Sequence, residues 1–271
     1  MYASSRRCSP ISRKKTGSSG GGVQSCFPWQ SLARIARRYN EANPQDKIPL
    51  YRNRDQLWRA IKRRMPQCDD EKCWTRAHFL SPSDREQLVE DFKPPIPQGK
   101  YSWLNTDDID RVLRGYEKVF SDFLYLGAHP IDFQTYDRNF DPLHRLLSSK
   151  ARKAALVLNL DDSTKDGSHW VGVFFDISSR TMEYYDSYGE PAPKLVKEFY
   201  HALGKGWKYK ENHHIHQRYN SECGVYTIHF IVRRLLGTSF EETTRKVIKD
   251  SEMNSKRTTY FDPLEKYNNS I

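Results

Sequence analysis

The sequence predicts an α+β protein with a helical domain ahead of its strands, and three observations point there. Up to about residue 92 the apolar residues recur at helical spacing. Between 154 and 188 they gather in short runs rich in aromatic and β-branched residues, the mark of strands. Helical patterns then resume at 194–203 and 223–237. With 271 residues, 37% hydrophobic and 13% aromatic, the chain can build one large core or two small ones.

Each element has a local reason. Residues 1–24 are rich in Ser, Gly, Arg and Lys and cannot bury enough apolar surface to offset the entropy of ordering. They are expected as a disordered basic tail. Trp29, Leu32, Ile35, Ala36 and Tyr39 then share a helical face. Asn53 or Asp55 can cap a second helix carrying Leu57, Ile61 and Met65, and Ser81 or Ser83 a third. Pro94, Pro95, Pro97 and Gly99 form a linker that no helix or central strand could cross. The predicted organisation is therefore a tail at 1–24, a helical domain at 25–92 and a second domain at 93–271.

Past the linker, Ile109, Val112, Leu113, Tyr116 and Phe120 lie at helical spacing, with Thr106 or Asp107 as cap. Residues 154–160 suit a buried strand. The runs 169–177 and 181–188 read as a hairpin turning at Ser178, Ser179 and Arg180. A helix follows at Lys194–Leu203, then an alternating strand at 207–217. The helix from Cys223 carries Val225, Ile228, Val232 and Leu235 on one stripe and stops at Gly237.

Composition excludes some classes. No run approaches the ~18 apolar residues of a membrane span, and the N-terminal stretch lacks the apolar centre of a secretory signal. An exported or membrane-spanning protein is not expected. Five cysteines, an odd and sparse set, fit free thiols in a reducing compartment better than a disulfide framework. The net charge of +10 is uneven. Residues 1–40 hold eight basic residues and no acid before position 41, and Arg59, Lys62, Arg63 and Arg64 form a second cluster. Such a surface attracts polyanions, although a solvated tail and an exposed helix face account for it equally.

Cys223 carries the chemical interest. A thiol that opens an apolar helix sits at the positive end of the helix dipole, where the thiolate is favoured. Nine histidines are available as a base, so composition alone does not choose. His169 begins a strand, from which it can reach a helix terminus. With the turn at 178–180, residues paired across the hairpin sum to about 358, which puts His169 near Gly189 and Asp186 within a few residues. Gln217, six residues before Cys223, can offer an amide to a developing oxyanion. Each also has a bland reading: a buried thiol, a satisfied strand-end histidine, a turn aspartate, a surface amide.

Order and spacing together are more specific. Trp170 follows His169, Asp186 comes seventeen residues after His169, and Gly224 follows Cys223. This pattern resembles the cysteine peptidases typified by adenain and the SUMO-specific proteases. The stretches 68–74 and 116–133, with the Pro-rich linker, resemble the maturation proteases of large cytoplasmic DNA viruses of the African swine fever virus type. That similarity spans roughly residues 50–271. Asp186 stands where the swine fever type has Asn.

The resemblance implies a mixed β-sheet flanked by helices, with Cys223 as nucleophile, His169 as base, Asp186 as its orienter and Gln217 in the oxyanion hole. It implies cleavage of a viral structural polyprotein or core precursor after a Gly-Gly-like pair, in the virion and host cytoplasm. Trp170 would wall a slot that admits only small residues. No cofactor is called for.

Rival readings are a ubiquitin- or SUMO-deconjugating protease and a nucleic-acid-binding module with a structural Cys223. Adenain uses DNA as a cofactor, so the basic N-terminal region can bind DNA in a protease too. Cys68, Cys73 and His78, or His214 and His216, have zinc-ligand chemistry, but no second pair completes a site and no metal is expected. The HExxH, Walker and GxSxG signatures are absent.

Overall fold

The computed structural model describes residues 7–16, 23–97, 99, 102–133, 141–219 and 221–266. The chain divides into two compact units, Met1–Ile96 with Thr258–Glu265, and Pro97–Arg257 with Lys266–Ile271.

The first unit is helical: α1 (Pro10–Thr16), α2 (Trp29–Ala42), α3 (Arg54–Arg64), a 3-10 turn (Glu71–Arg76) and α4 (Pro82–Val89). Local chemistry starts most of them. Asn53 accepts from the Gln56 amide at the head of α3, Asp70 from those of Lys72 and Cys73, and Ser81 and Asp84 form a reciprocal capping box on α4. Phe27 is central to the core, stacked on Trp74 and edge-on to Phe92. Strand β1 (Pro95–Ile96) pairs with the last strand, β7 (Asp262–Lys266).

Three expectations are corrected in this unit. Residues 7–16 are ordered where a disordered tail was expected; residues 1–6 and 17–22 lie outside the described residues. The cause is specific bonding that composition does not register. Cys8 is joined to Cys26 and bridges to Phe92, while Arg7 donates to Asp262 and Asp70, both at 3.0 Å. Free thiols were expected, yet four of the five cysteines pair, Cys8 with Cys26 and Cys68 with Cys73, so the latter two are not a zinc pair. Finally, Thr258–Glu265 groups with the first unit. Asp262 is fully buried there and receives both Arg7 and Lys72, a pairing that offsets the desolvation of the carboxylate.

The second unit opens with α5 (Thr106–Glu117), capped by Asn105, one residue before the predicted caps, in a box with Asp108. A five-stranded mixed sheet follows: β2 (Phe123–Pro130), β3 (Lys153–Asn159), β4 (Trp170–Asp176), β5 (Thr181–Tyr185) and β6 (Lys208–Glu211), in that spatial order. The outer pairs β2/β3 and β5/β6 are parallel and the inner pairs antiparallel. The helices are α6 (Pro142–Ser148), α7 (Lys194–Ala202), α8 (Cys223–Leu235), α9 (Phe240–Arg245) and α10 (Asp250–Tyr260).

The strand period of two sorts the side chains of the sheet between its faces. Val171, Val173 and Phe175 pack in one cluster with Met182, Tyr184 and the α7 residues Val196 and Phe199. Gly172 and Tyr185 meet α8 instead: a Cβ on Gly172 would lie 3.2 Å from Phe230, which stacks on Tyr185 at 4.7 Å. Gly172 thus lets α8 lie close against β4. The α8 threonine Thr227 fixes the register by donating to the Trp170 carbonyl at 3.1 Å. This seating sets the start of α8 beside the start of β4.

Candidate active site

Cys223 is the first residue of α8 and 2% exposed, and it is the free cysteine among the described residues. His169 immediately precedes β4. Its Nε2 lies 2.7 Å from Asp186 Oδ1, and Cys223 is near enough to the ring to raise its pKa. With Nε2 committed to the carboxylate, Nδ1 is the nitrogen left for the thiol. The hairpin register explains the approach. Gly172 pairs with Tyr185 and Asp176 with Thr181, sums of 357, within one residue of the predicted figure.

The electrostatics follow from these partners. Burial pushes the His169 imidazole down, but the hydrogen bonds to Asp186 and Cys223, with their negative charge, overrule it and raise the pKa to about 9. Asp186 is 1% exposed and firmly held: its Oδ1 also accepts from the Tyr188 amide at 2.8 Å. Asn212 grips the aspartate backbone from both sides, accepting from the Asp186 amide and donating to its carbonyl, each at 2.8 Å.

Gln217 is buried nearby. Its Oε1 accepts from Ser187 Oγ at 2.7 Å and its backbone amide donates to the Ser187 carbonyl at 2.8 Å. The side-chain nitrogen donates to the Tyr219 carbonyl and reaches the Tyr188 hydroxyl at 3.4 Å. Tyr188 in turn stacks on the His169 ring at 4.5 Å. The predicted His and Asp are therefore hydrogen-bonded, Cys223 lies near enough to act on the ring, and Gln217 joins them through Tyr188.

Trp170 is 5% exposed, and its indole N–H donates to the Leu104 carbonyl at 2.7 Å. It lines a cavity of about 440 Å³ together with Leu104 and the half-exposed Trp103. Gly224 is required here, because a Cβ would stand 3.0 Å from that of Leu104.

Trp103, Leu104, Tyr188, Asn212 and Ser187 were not singled out from sequence. Tyr188 had a usable signal: it is the residue that a hairpin sum of 357 sets opposite His169. The other contacts cross long separations and carry no local pattern.

With this geometry in hand, comparison with known proteins gives the class. Residues 155–270 match the model of the Ulp1 protease family, C-terminal catalytic domain. The relatives are viral. A protein of Acanthamoeba polyphaga mimivirus that bears the name thiol protease is 28% identical over 270 residues, 87% of this chain and 88% of the relative. The cysteine protease of African swine fever virus is 27% identical over 202 residues, 65% of this chain and 74% of the relative. A crystal structure of that virus's protease superposes with a TM-score of 0.67 at 20% identity, covering 96% of this chain and 97% of the other. That likeness establishes the α+β fold with its mixed sheet and flanking helices.

Among the described residues no helix is long and apolar enough to cross a membrane.

Proposed function

We propose that the protein is an endopeptidase that cuts a polyprotein or core precursor after a Gly-Gly-like pair, with Cys223 as nucleophile. The observation that carries this is the buried chain from the Cys223 thiol through the His169 ring to the Asp186 carboxylate. His169, whose pKa of about 9 keeps it protonated at neutral pH, holds the proton drawn from the thiol while Sγ attacks the scissile carbonyl, forming the S–C bond and an oxyanion. The Cys223 backbone N–H and the Gln217 amide face the oxyanion. The imidazolium then hands its proton to the leaving amine as the C–N bond breaks. Water, deprotonated by His169, hydrolyses the thioester and frees the thiol. Asp186 fixes the ring tautomer and stabilises the imidazolium.

The Gln217 amide is held by the Tyr219 carbonyl in this conformation, so it must exchange that partner for the oxyanion during turnover. Trp170, the residue after His169, lines a cavity with Trp103 and Leu104, and this supports the preference for small residues. Action at the viral assembly site and in the virion belongs to the same reading.

A deconjugating activity is the second reading, favoured by the name that a swine fever virus relative bears, SUMO-1 cysteine protease. DNA binding is a further proposal. It now rests on fewer cations, because Arg7, Arg38 and Arg64 are spent on acids, whereas Arg37, Arg59 and Arg63 are exposed.

The experiment compares wild type with Cys223→Ala on Gly-Gly-Xaa peptides and on ubiquitin- and SUMO-fused reporters, with and without DNA. Cys223-dependent cleavage of the short peptides is expected. Cleavage of the fused reporters alone would favour deconjugation, and turnover by Cys223→Ala would end the mechanism.

A further inference from the structure

A second cavity of about 710 Å³ lies in the same unit and shares no residue with the one beside Trp170. Arg218, Tyr219, Ser221 and Glu222 form one wall, the same segment that carries Gln217 and leads into Cys223. Val247 and Lys249 lie on the other. Its lining is mostly apolar, and both Tyr219 and Val247 are well exposed, at 72% and 51%.

The cations at this cavity outnumber the carboxylates that no other cation pairs, two to one. Glu222 is 1% exposed and fully committed, accepting from Arg257 at 3.1 Å and from Asn254 at 2.7 Å. Asp250 keeps its negative charge, because its partners are neutral: the Arg218 backbone amide at 3.0 Å and the Tyr226 hydroxyl at 3.1 Å. The Arg218 and Lys249 side chains are exposed and, among the described residues, form no ion pair. The rim therefore presents two exposed cations against the one carboxylate of Asp250, with the apolar surface of Tyr219 and Val247 beside them.

Hydrolysis inside a polypeptide requires the enzyme to hold chain on both sides of the attacked bond. On the reading proposed above, the Trp103–Trp170 cavity takes the residues that precede the bond. We propose that the second cavity takes the residues that follow it, and that it selects an apolar side chain next to an aspartate or glutamate. The apolar residue covers Tyr219 and Val247, and the carboxylate faces Arg218 and Lys249. A preference based on exposed charges weakens with salt. This inference rests on the endopeptidase reading, since the substrate of a deconjugating enzyme would place a lysine side chain on this side.

The test uses three quenched-fluorescent peptides with one Gly-Gly half and a second half that is apolar-acidic, apolar-neutral or apolar-basic. Wild type should cut the acidic peptide about tenfold better in kcat/KM than the basic one, a gap of about 1.4 kcal/mol, chiefly through KM. Lys249→Glu should narrow or invert that order, and raising the salt should flatten it. Equal kcat/KM for the three peptides, or an order untouched by Lys249→Glu, would overturn the site while leaving the peptidase reading standing. Loss of all Cys223-dependent cleavage would instead overturn the peptidase reading. In that event, anisotropy of the labelled second halves on the Cys223→Ala protein decides the site. Tighter binding of the acidic half supports it, and equal affinities refute it.

Discussion

His169 and His216 are both buried, at 8% and 3% exposure, and both use their ring nitrogens, yet they sit in opposite electrostatic surroundings. His169 has a carboxylate on one nitrogen and a thiol for the other, which hold its pKa up at about 9. His216 accepts from the Tyr185 hydroxyl at 3.0 Å and donates to the Thr244 carbonyl at 2.7 Å. Burial pushes its pKa down and the Thr244 carbonyl only partly opposes this. Similar burial thus goes with a raised pKa in one place and a lowered one in the other. The difference lies in the charge of the partners.

The sharpest way to break that contrast is at His169. His169→Ala should lower kcat/KM by about 10³-fold or more, as measured with the peptide that wild type cuts best. A loss of only a few-fold would show that the ring is a strand-end residue.

Asp186 comes next. Asp186→Ala should cost about 10²-fold, and Asp186→Asn clearly less, because an amide still orients the ring. Removing the charge should also bring the His169 pKa down, so the alkaline limb of the Asp186→Asn rate profile should begin at lower pH than in wild type. An unmoved limb would mean that Asp186 does not set the protonation of His169.

The smallest effect is on stability, and its sign differs between the two residues. The His169 pKa is raised in the folded protein, so its contribution is complete below about pH 6.5 and is lost as pH rises through about 9. The His216 pKa is lowered, so its contribution is complete above about 6.5 and is lost as pH falls below that. His229, lowered to about 4 by burial and neighbouring cations, adds to the same acid-side loss. Thermal unfolding from pH 4 to 10 should therefore show His169→Ala flattening the alkaline slope and His216→Asn the acid slope. The His216 change should also cost about 1–3 kcal/mol at neutral pH through its two lost partners.

Local patterns made much of this readable in the sequence. The hairpin arithmetic that brought Asp186 to His169 missed the true register by one, because a tight turn leaves strands no freedom to slip. The helix from Cys223 was equally plain from its stripe. Strand β2 was missed because Gly127, at φ +103, breaks its alternation with a bulge between Tyr125 and Ala128. The strand expected over 207–217 ends at Glu211, since Asn212 turns to hold Asp186. Asn105 caps α5 where the adjacent Thr and Asp looked as suitable. The cysteine pairings were hidden for a simpler reason: sequence counts thiols and does not measure their separation.

Those pairings give the molecule two conflicting demands on its redox environment. Cys223 reacts only as a reduced thiol, whereas the first unit holds Cys8–Cys26 and Cys68–Cys73 closed. The longer link spans 18 residues, and closing a loop of that size restricts the unfolded chain by about 3 kcal/mol in the entropic account. Reductant added to keep the proposed nucleophile reduced thus loosens the segment that carries Arg7. Activity titrated against reductant should rise and then fall, with the maximum where the thiol is free and both links survive.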